Sequence, residues 1–163
     1  MVAIIFDQAS AVAPWQAVDD RVMGGLSSSR MRFDPEGHAV FEGTVSLAQG
    51  GGFASVRALS RALQAPGIQG YSLDLCGDGR RYKLNLRTDT RFDGISFQAD
   101  FEAAPGRWQT IHLTTGAFLP LFRGRAVPDA PAFAPDAVCQ VGLMVADKQS
   151  GPFTLAIRSI RGF

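Results

Sequence analysis

The stretch RRYKLNLRT (residues 80–88) decides the fold class, because its side chains alternate between polar and apolar. Tyr82, Leu84 and Leu86 form the apolar set, and the residues between them are polar or charged. A period of two is that of a β-strand, whose successive side chains point to opposite faces. One apolar and one polar face together predict an antiparallel strand that packs on a core with one side only.

The same alternation occurs in the segments on either side, YSLDLC (71–76) and GISFQADF (94–101). Between the three segments lie the turn signals GDGR (77–80) and TDTRFD (88–93), so we expect a meander of three strands. Matching the apolar faces fixes a register for this meander. The expected apolar pairs are Leu75 with Tyr82, Leu73 with Leu84, Leu86 with Ile95 and Leu84 with Phe97. The expected polar pairs are Asp74 with Lys83, Lys83 with Gln98 and Arg81 with Asp100.

Further alternating or apolar runs extend this pattern along the chain. They are VAIIF (2–6), SSRMRF (28–33), HAVFEGTVSL (38–47), FASVRA (53–58), WQTIHL (108–113), VCQVGLMVA (138–146) and PFTLAIRSI (152–160). Many short strands with Gly/Pro turns and almost no helical periodicity predict a β-sandwich or barrel. We expect one domain over residues 1–163 and an irregular connection over 116–136, which carries four prolines. The expected core is Phe41, Leu73, Leu75, Leu84, Leu86, Phe97, Ile111, Leu143 and Leu155.

Composition limits the classes of function. The 163 residues carry 16 basic and 15 acidic side chains, a formal net charge of +1, so we expect no broad nucleic-acid surface. No apolar run approaches the roughly 20 residues that a membrane span needs. The N-terminal segment has no basic region before its apolar residues, which argues against a signal peptide and favours a cytoplasmic location. Cys76 and Cys139 are therefore expected to be reduced thiols, and neither has the spacing of a metal site.

Seven segments occur in an order that resembles one known family. They are WQAVDDRVMGGLSSS (15–29), GGFASVR (51–57), GRRYKLNLRTD (79–89), FQADF (97–101), WQTIHL (108–113), FRGR (122–125) and GLMVADKQSGPFTLAIRSI (142–160). Taken together they resemble the complex I intermediate-associated protein family, and VMGG-x-S and ADKQSGPF are the most specific marks. The resemblance implies an all-β, jelly-roll β-sandwich of two antiparallel sheets, galactose-binding-domain-like. It also implies a role in assembling respiratory NADH:ubiquinone oxidoreductase. This chain has no Arg-rich transit segment, so the expectation is a stand-alone cytoplasmic version that reaches the inner membrane through a partner.

The acidic pair Asp19–Asp20 is the first candidate for chemistry. Adjacent residues in an extended segment point in opposite directions, which disfavours an acid–base pair. We expect one of them to cap a turn or bond the backbone of the Gly24–Gly25 loop, which has no P-loop lysine after it. Either aspartate could instead pair with Arg21, Arg87 or Lys148.

Polar loops give the remaining candidates. Asp147–Lys148 is expected in a hairpin turn, and Arg87 with Asp89 could share a rim with it and with the 15–25 loop. Trp108 lies on the polar phase of its strand, so it could stack on a sugar or peptide or pack under the proline-rich connection. The candidate partner-binding residues are Trp15, Asp19, Asp20, Arg21, Arg87, Asp89, Trp108, Asp147 and Lys148.

No pattern in the sequence predicts catalysis. His38 follows the turn DPEG and is expected to be exposed, and His112 has no nearby Ser or Cys motif for a triad. Galactose-binding-like folds often hold calcium, but the sequence has no Asp-x-Asp-x-Asp run, so we expect neither a metal nor a cofactor. The favoured hypothesis is a non-enzymatic module that binds a protein client, such as a respiratory-complex subunit. The alternative is a carbohydrate-binding module, and a hydrolase is disfavoured.

Overall fold

Antiparallel strands make up about half of the chain. The computed structural model describes residues 1–163 except for the side chains of residues 22 and 23, so the VM of the family motif lies partly outside the described residues. Within the described residues the strands are β1 Ala3–Ile5, β2 Gln16–Ala17, β3 Ser28–Asp34, β4 His38–Val45, β5 Ala54–Leu59, β6 Gly70–Cys76, β7 Arg81–Arg87, β8 Ser96–Glu102, β9 Trp108–Thr114, β10 Leu119–Phe122, β11 Arg125–Ala126, β12 Gln140–Val145 and β13 Gly151–Gly162.

Helical structure is confined to short turns. Apart from α1 (Ala9–Val12), the helical elements of the described chain are 3-10 turns at Asp20–Met23, Ala48–Gly50, Thr115–Ala117 and Pro135–Ala137. None of these helices has the length or the apolar character needed to cross a membrane.

The strands form two sheets, and the strands paired within each sheet run antiparallel. The six-stranded sheet has the order β3-β4-β13-β6-β9, with β1 paired to β13, and the seven-stranded sheet has the order β11-β10-β8-β7-β12-β5-β2. Apolar side chains from both sheets join in one core. The predicted all-β fold of two antiparallel sheets is therefore confirmed.

The predicted meander is wrong in its first half. β6 pairs with β13 and β9 in one sheet, whereas β7 pairs with β8 and β12 in the other. The GDGR segment therefore carries the chain across the sandwich instead of closing a hairpin. Asp78 holds this crossing, because its carboxylate accepts from the Tyr82 hydroxyl at 3.0 Å and from the Thr154 N–H at 2.9 Å. The expected pairing of Leu75 with Tyr82 and of Asp74 with Lys83 does not occur.

The β7–β8 hairpin exists, but its register is shifted by two residues. Leu86 faces Phe97 and Leu84 faces Ala99, and on the other face Lys83 meets Asp100. A shift of two keeps every side chain on its predicted face, which is why alternation alone cannot detect it. The ladder begins later than expected because residues 88–95 form a longer loop.

The core agrees closely with the expected one. Of the nine expected residues only Ile111 is partly exposed, and the other eight are 0–4% exposed. Two segments join the core against expectation. Trp15 is 8% exposed and meets Phe6 edge to face with ring centroids 5.7 Å apart. The 116–136 connection contributes Phe118, which stacks on Phe133 at 5.3 Å.

The proline-rich connection is also more regular than predicted, because it contains β10 and β11. β10 pairs with β8, placing Pro120 opposite Phe97. Proline lacks an N–H donor and is tolerated near sheet edges, where one side of the strand is less fully paired. The prolines therefore limit this edge of the sheet to two short strands without excluding them.

Both cysteines are free thiols. Cys76 lies on β6, whereas Cys139 precedes β12 in the other sheet. Burial raises the pKa of the Cys139 thiol, which disfavours the reactive thiolate.

Candidate functional site

The carboxylate of Asp20 joins three segments of chain. Asp20 is 1% exposed. It accepts hydrogen bonds from the Ser27 N–H at 2.9 Å and the Ser27 hydroxyl at 2.5 Å. It also accepts from the N–H groups of Gly52 at 2.8 Å and Phe53 at 3.3 Å. Four donors on one carboxylate stabilise its charge in place of water.

The neighbouring carboxylate of Asp19 ties the two sheets together. It accepts from the Ser29 N–H at 3.0 Å, from the Ser29 hydroxyl at 2.6 Å and from the Ser55 N–H at 3.0 Å. Ser29 belongs to β3 of the six-stranded sheet and Ser55 to β5 of the seven-stranded sheet. We call this cluster the brace; it consists of Asp19, Asp20, Ser27, Ser29, Gly52, Phe53 and Ser55.

The two aspartates serve different segments, as their adjacency predicts, but their partners differ from those expected. The donors are hydroxyl and main-chain N–H groups, not Arg21, Arg87 or Lys148. Besides Ser27, the main-chain donors to Asp20 are Gly52 and Phe53, far along the chain from Gly24–Gly25. Ser27, Ser29 and Ser55 were therefore not predicted as partners. The Ser-x-Ser spacing after the Asp-Asp pair was the signal available for Ser27 and Ser29.

Glycines make room for the Asp20 carboxylate. A Cβ on Gly25 would lie 2.5 Å from the Asp20 carboxyl group, and one on Gly51 would lie 2.6 Å from its Oδ2. Real Cβ atoms do not approach so closely, so any side chain at either position would displace the carboxylate. Gly24 has a φ of 86°, the left-handed conformation that ends the 3-10 turn.

The hydrogen bonds of the brace keep the Asp20 carboxylate ionised. Burial by itself would favour the neutral acid, but the hydrogen bonds from Ser27, Gly52 and Phe53 outweigh it, and the pKa of Asp20 is lowered. The group is thus a fixed negative charge at neutral pH, already satisfied by its neighbours. This chemistry suits a structural anchor better than a general acid or base.

Two leucines project from the brace into solvent. Leu26 is 54% exposed and Leu47 is 46% exposed. They are neighbours of Ser27 and Ser46, which are bonded to each other through the Ser46 N–H and the Ser27 hydroxyl at 2.9 Å. The brace therefore fixes the backbone of both leucines close together. We call Leu26 and Leu47 the leucine pair.

The loop between β12 and β13 adjoins the brace and has a strained backbone. Asp147 and Lys148 have φ values of 60° and 55°, which cost non-glycine residues free energy. The loop is not the expected hairpin turn, since it connects the two sheets. The Gln149 side chain fixes it by accepting from the Arg81 N–H at 3.0 Å and donating to the Arg81 carbonyl at 2.9 Å.

The 15–25 loop, Arg87 with Asp89, and the Asp147–Lys148 loop were expected to converge, and the structure brings only some of them together. A Cβ on Gly52 would lie 3.4 Å from the Lys148 side chain, so this lysine lies beside the brace. Arg87, in contrast, ends β7 at the other end of the sheet, opposite Gln140. Asp89 follows it there and bonds Arg91, with the nearest contact at 2.9 Å. The structure therefore separates Arg87 and Asp89 from the Asp147–Lys148 loop.

The outer surface of the seven-stranded sheet carries a second polar cluster. Leu84, Leu86 and Phe97 point into the core, so the residues alternating with them point outward. We call this surface the polar face; it consists of Arg57, Asn85, Arg87, Ser96 and Gln140. At its margin Phe92 is 62% exposed, with the Arg57 guanidinium 4.3 Å from its ring centroid.

Trp108 lies on the outer surface of the six-stranded sheet, not under the proline-rich connection. The Arg158 guanidinium lies over its ring at 3.7 Å, and His38 meets it edge to face at 5.1 Å. Its aromatic face is therefore already used by a cation. The same packing explains why His38 is 8% exposed, so the prediction of an exposed His38 is wrong.

One group of side chains has the composition of a metal site. Asp34, Glu36 and His38 each have a ligand atom within 4.8 Å of the others. The Asp34 carboxylate accepts from the Glu36 N–H at 2.9 Å and from Arg32 at 3.3 Å. The bond from the Glu36 N–H is that of an Asx turn between β3 and β4, and the bond from Arg32 is an ion pair along β3, so the cluster has a structural explanation.

Solved structures share this fold at low sequence identity. The family 11 carbohydrate-binding module of the cellulosomal cellulase Lic26A-Cel5E of Clostridium thermocellum has a TM-score of 0.71 and 15% identity, over 99% of this chain and 95% of that one. The Clostridium thermocellum family 11 module in complex with a β-1,3-1,4-mixed-linked tetrasaccharide has a TM-score of 0.67 and 16% identity, over 98% and 95% of the chains. At such identities the likeness shows the fold alone.

Sequence comparisons give the family. An uncharacterised protein of Schizosaccharomyces pombe is 28% identical over 167 residues, which cover 90% of this chain and 76% of that protein. Residues 4–157 match the model of complex I intermediate-associated protein 30. That match spans both sheets, the brace and the polar face, so the chain belongs to the complex I intermediate-associated protein 30 family.

Proposed function

We propose that this chain is a non-enzymatic module that binds a protein client during assembly of a larger complex. The observation that carries the proposal is the leucine pair, two exposed apolar side chains on a backbone that the brace holds in place. Exposed apolar residues on a rigid support lose little conformational entropy when a partner covers them. Family membership makes subunits of respiratory NADH:ubiquinone oxidoreductase the first clients to test. The proposed location is the cytoplasm, with contact to the inner membrane through the client.

Charges around the leucine pair fit a protein partner. Arg21 is exposed on one side, and its Nε donates to the Ser27 carbonyl at 3.3 Å. Lys148 is exposed near Gly52 on the other. Within the described residues neither cation forms an ion pair. An apolar centre with unpaired charges at its rim is the usual composition of a protein interface.

A complementation experiment tests this function. A host strain lacking the gene would receive wild type, the double variant Leu26→Ala/Leu47→Ala, or the control Leu59→Ala. Leu59 is 66% exposed at the far end of β5, so its truncation removes comparable apolar surface elsewhere. Native gels would measure the assembled NADH:ubiquinone oxidoreductase.

The expected result is loss of the assembled complex with the double variant only, at an unchanged melting temperature. Normal assembly in the deletion strain would rule out this client. A double variant that assembles the complex as well as the control would rule out the leucine pair as the contact.

A second candidate function is carbohydrate binding by the polar face. It is favoured by Phe92, an exposed aromatic ring beside Arg57, which is the combination that sugar sites use. Structural neighbours that are carbohydrate-binding modules support it. Affinity electrophoresis in mixed-linked β-glucan would test it, with Phe92→Ala expected to abolish any retardation. Phe163→Ala is the control, since Phe163 is 47% exposed and meets His112 of the other sheet. Retardation that is absent in wild type, or that survives Phe92→Ala, would contradict this candidate.

A further inference from the structure

The loop between β7 and β8 lies on the polar face. Its residues 88–94, which we call the strap, are held by side chains from three strands. Arg57 of β5 donates to the Phe92 carbonyl at 2.8 Å. Arg87 of β7 donates to the Gly94 carbonyl at 2.9 Å. The polar face therefore holds the strap through its main chain.

Gln140 of β12 adds two more such bonds. Its Nε2 donates to the Asp89 carbonyl at 2.7 Å and to the Arg91 carbonyl at 2.9 Å. Together, these three side chains donate hydrogen bonds to four main-chain carbonyls of the strap. Such contacts recognise polypeptide backbone irrespective of its side chains, so the strap occupies the polar face as a peptide ligand would.

Beside these donors, two buried polar atoms have no partner. Among the described side chains, Asn85 Oδ1 and Ser96 Oγ of the polar face are buried without a hydrogen bond, as is the Tyr71 hydroxyl in the core. Asn85 is 7% exposed and Ser96 is 2% exposed. A buried polar group without a partner costs about 1–3 kcal/mol, which makes such groups rare. The strap thus accepts hydrogen bonds from Arg57, Arg87 and Gln140 but leaves these two atoms unpaired.

A glycine keeps the middle of this surface free of side chains. Gly142 on β12 pairs with Arg57 on one side and with Asn85 on the other. A Cβ there would lie 3.3 Å from the Arg57 Cβ and 3.7 Å from the Asn85 Cβ. Glycine inside a central strand often marks a close approach of another backbone. No side chain therefore stands between Arg57 and Asn85 at this position of the sheet.

The charge of this surface is positive and incompletely compensated. Neither Arg57 nor Arg87 forms an ion pair in the described part of the chain, and burial lowers the pKa of both. Asp93 of the strap bonds Arg123 instead, with Nε to Oδ2 at 3.0 Å. Among the described residues, these two half-buried guanidinium groups feel the charge of nearby strap carboxylates but bond none of them, which favours an anionic ligand.

We propose that the polar face binds an acidic, extended polypeptide segment, and that the strap is a built-in competitor which this segment displaces. The polypeptide character of the ligand rests on the proposed function as a protein-client module. Carboxylates of the segment would pair with Arg57 and Arg87, and its N–H groups would satisfy Asn85 Oδ1 and Ser96 Oγ. The Asp93–Arg123 contact is the latch that keeps the strap in place.

The test uses the full chain and a fluorescein-labelled peptide of alternating Gly, Asp and Glu, followed by fluorescence anisotropy. Arg57→Gln should weaken binding about tenfold, because it removes a charge-assisted contact. Arg123→Gln should tighten binding several-fold, because releasing the latch raises the fraction of molecules with a free polar face. Since Arg123→Gln also removes a positive charge, non-specific attraction predicts the opposite sign.

Arg107→Gln is the matched control, because it removes an exposed arginine from the turn before β9, away from the polar face. The proposal is overturned if Arg123→Gln weakens binding like this control, or if Arg57→Gln changes nothing. It is also overturned if mixed-linked tetrasaccharide binds and the acidic peptide does not, which would make the ligand a glycan. Failure here does not contradict the leucine pair, because Leu26 and Leu47 are not part of the polar face. Melting temperatures of each variant exclude loss of folding as the cause.

Discussion

The brace and the polar face are both polar clusters on a β-framework, yet they differ in how their groups are satisfied. In the brace, Asp20 accepts four hydrogen bonds and Asp19 accepts three. In the polar face, buried atoms of Asn85 and Ser96 have no partner among the described residues. The first arrangement stabilises the fold, and the second costs stability.

This difference separates architecture from candidate function. The family motifs concentrate at the brace, where the polar groups are hydrogen-bonded to one another within the protein. The unpaired atoms of the polar face lower the free energy of unfolding. Residues that weaken a fold in this way are found mainly at functional sites, where they serve binding. Buried polar atoms are thus more informative about binding here than the conspicuous Asp-Asp pair.

The largest effect should come from removing the Asp20 carboxylate. Asp20→Ala leaves the N–H groups of Ser27, Gly52 and Phe53 without an acceptor, so we expect a loss of about 3 kcal/mol or more in the free energy of unfolding. Urea denaturation followed by tryptophan fluorescence would measure it. Asp129→Ala is the exposed control and should stay within about 0.5 kcal/mol of wild type. Equal stability of the two variants would show that the brace does not support the fold.

A matched pair of buried serines sharpens the comparison. Ser27 is 0% exposed and bonded, whereas Ser96 is 2% exposed and unpaired. Ser27→Ala should cost about 1–3 kcal/mol, while Ser96→Ala should change stability by less than about 0.5 kcal/mol or increase it. Thermal and urea unfolding of both variants would show this. A large loss for Ser96→Ala would reveal a hydrogen bond at that hydroxyl and remove the contrast.

The smallest effect concerns acid pH. Because the folded-state pKa of Asp20 is lowered, its contribution to stability is complete above the unfolded-state value of about 3.9 and is lost as the pH falls through the folded value. Asp20→Asn should therefore show a shallower decline in stability than wild type on the acid side of this value. Melting temperatures from pH 7 downward would test the slope. Parallel curves for the two proteins would mean that Asp20 is not the group responsible.

Alternation in the sequence was sufficient to locate ten of the strands and nearly all of the expected core. It could not place β6 and β7 in different sheets, because a Gly-rich turn and a sheet-to-sheet crossing look alike locally. It also could not fix the β7–β8 register, since a shift of two preserves the faces. β10 and β11 escaped notice because prolines interrupt their pattern.

The candidate site was less predictable for a related reason. Hydrogen-bond partners of the brace lie up to 36 residues apart along the chain. Trp15 was a candidate binding residue and His38 was expected to be exposed, but packing buries both. The unpaired atoms of Asn85 and Ser96 become visible only when the strap is folded over the sheet.

The sequence by itself determined the all-β class, the core faces of the main strands and the family. These properties rest on local alternation and on motifs that a linear chain displays. Tertiary structure alone decided that Asp19 and Asp20 join two sheets, that a hydrogen bond links the neighbours of Leu26 and Leu47, and that the strap bonds Arg57 and Arg87. The physical reason is that charge satisfaction and burial depend on contacts between residues remote in sequence, which no local pattern encodes.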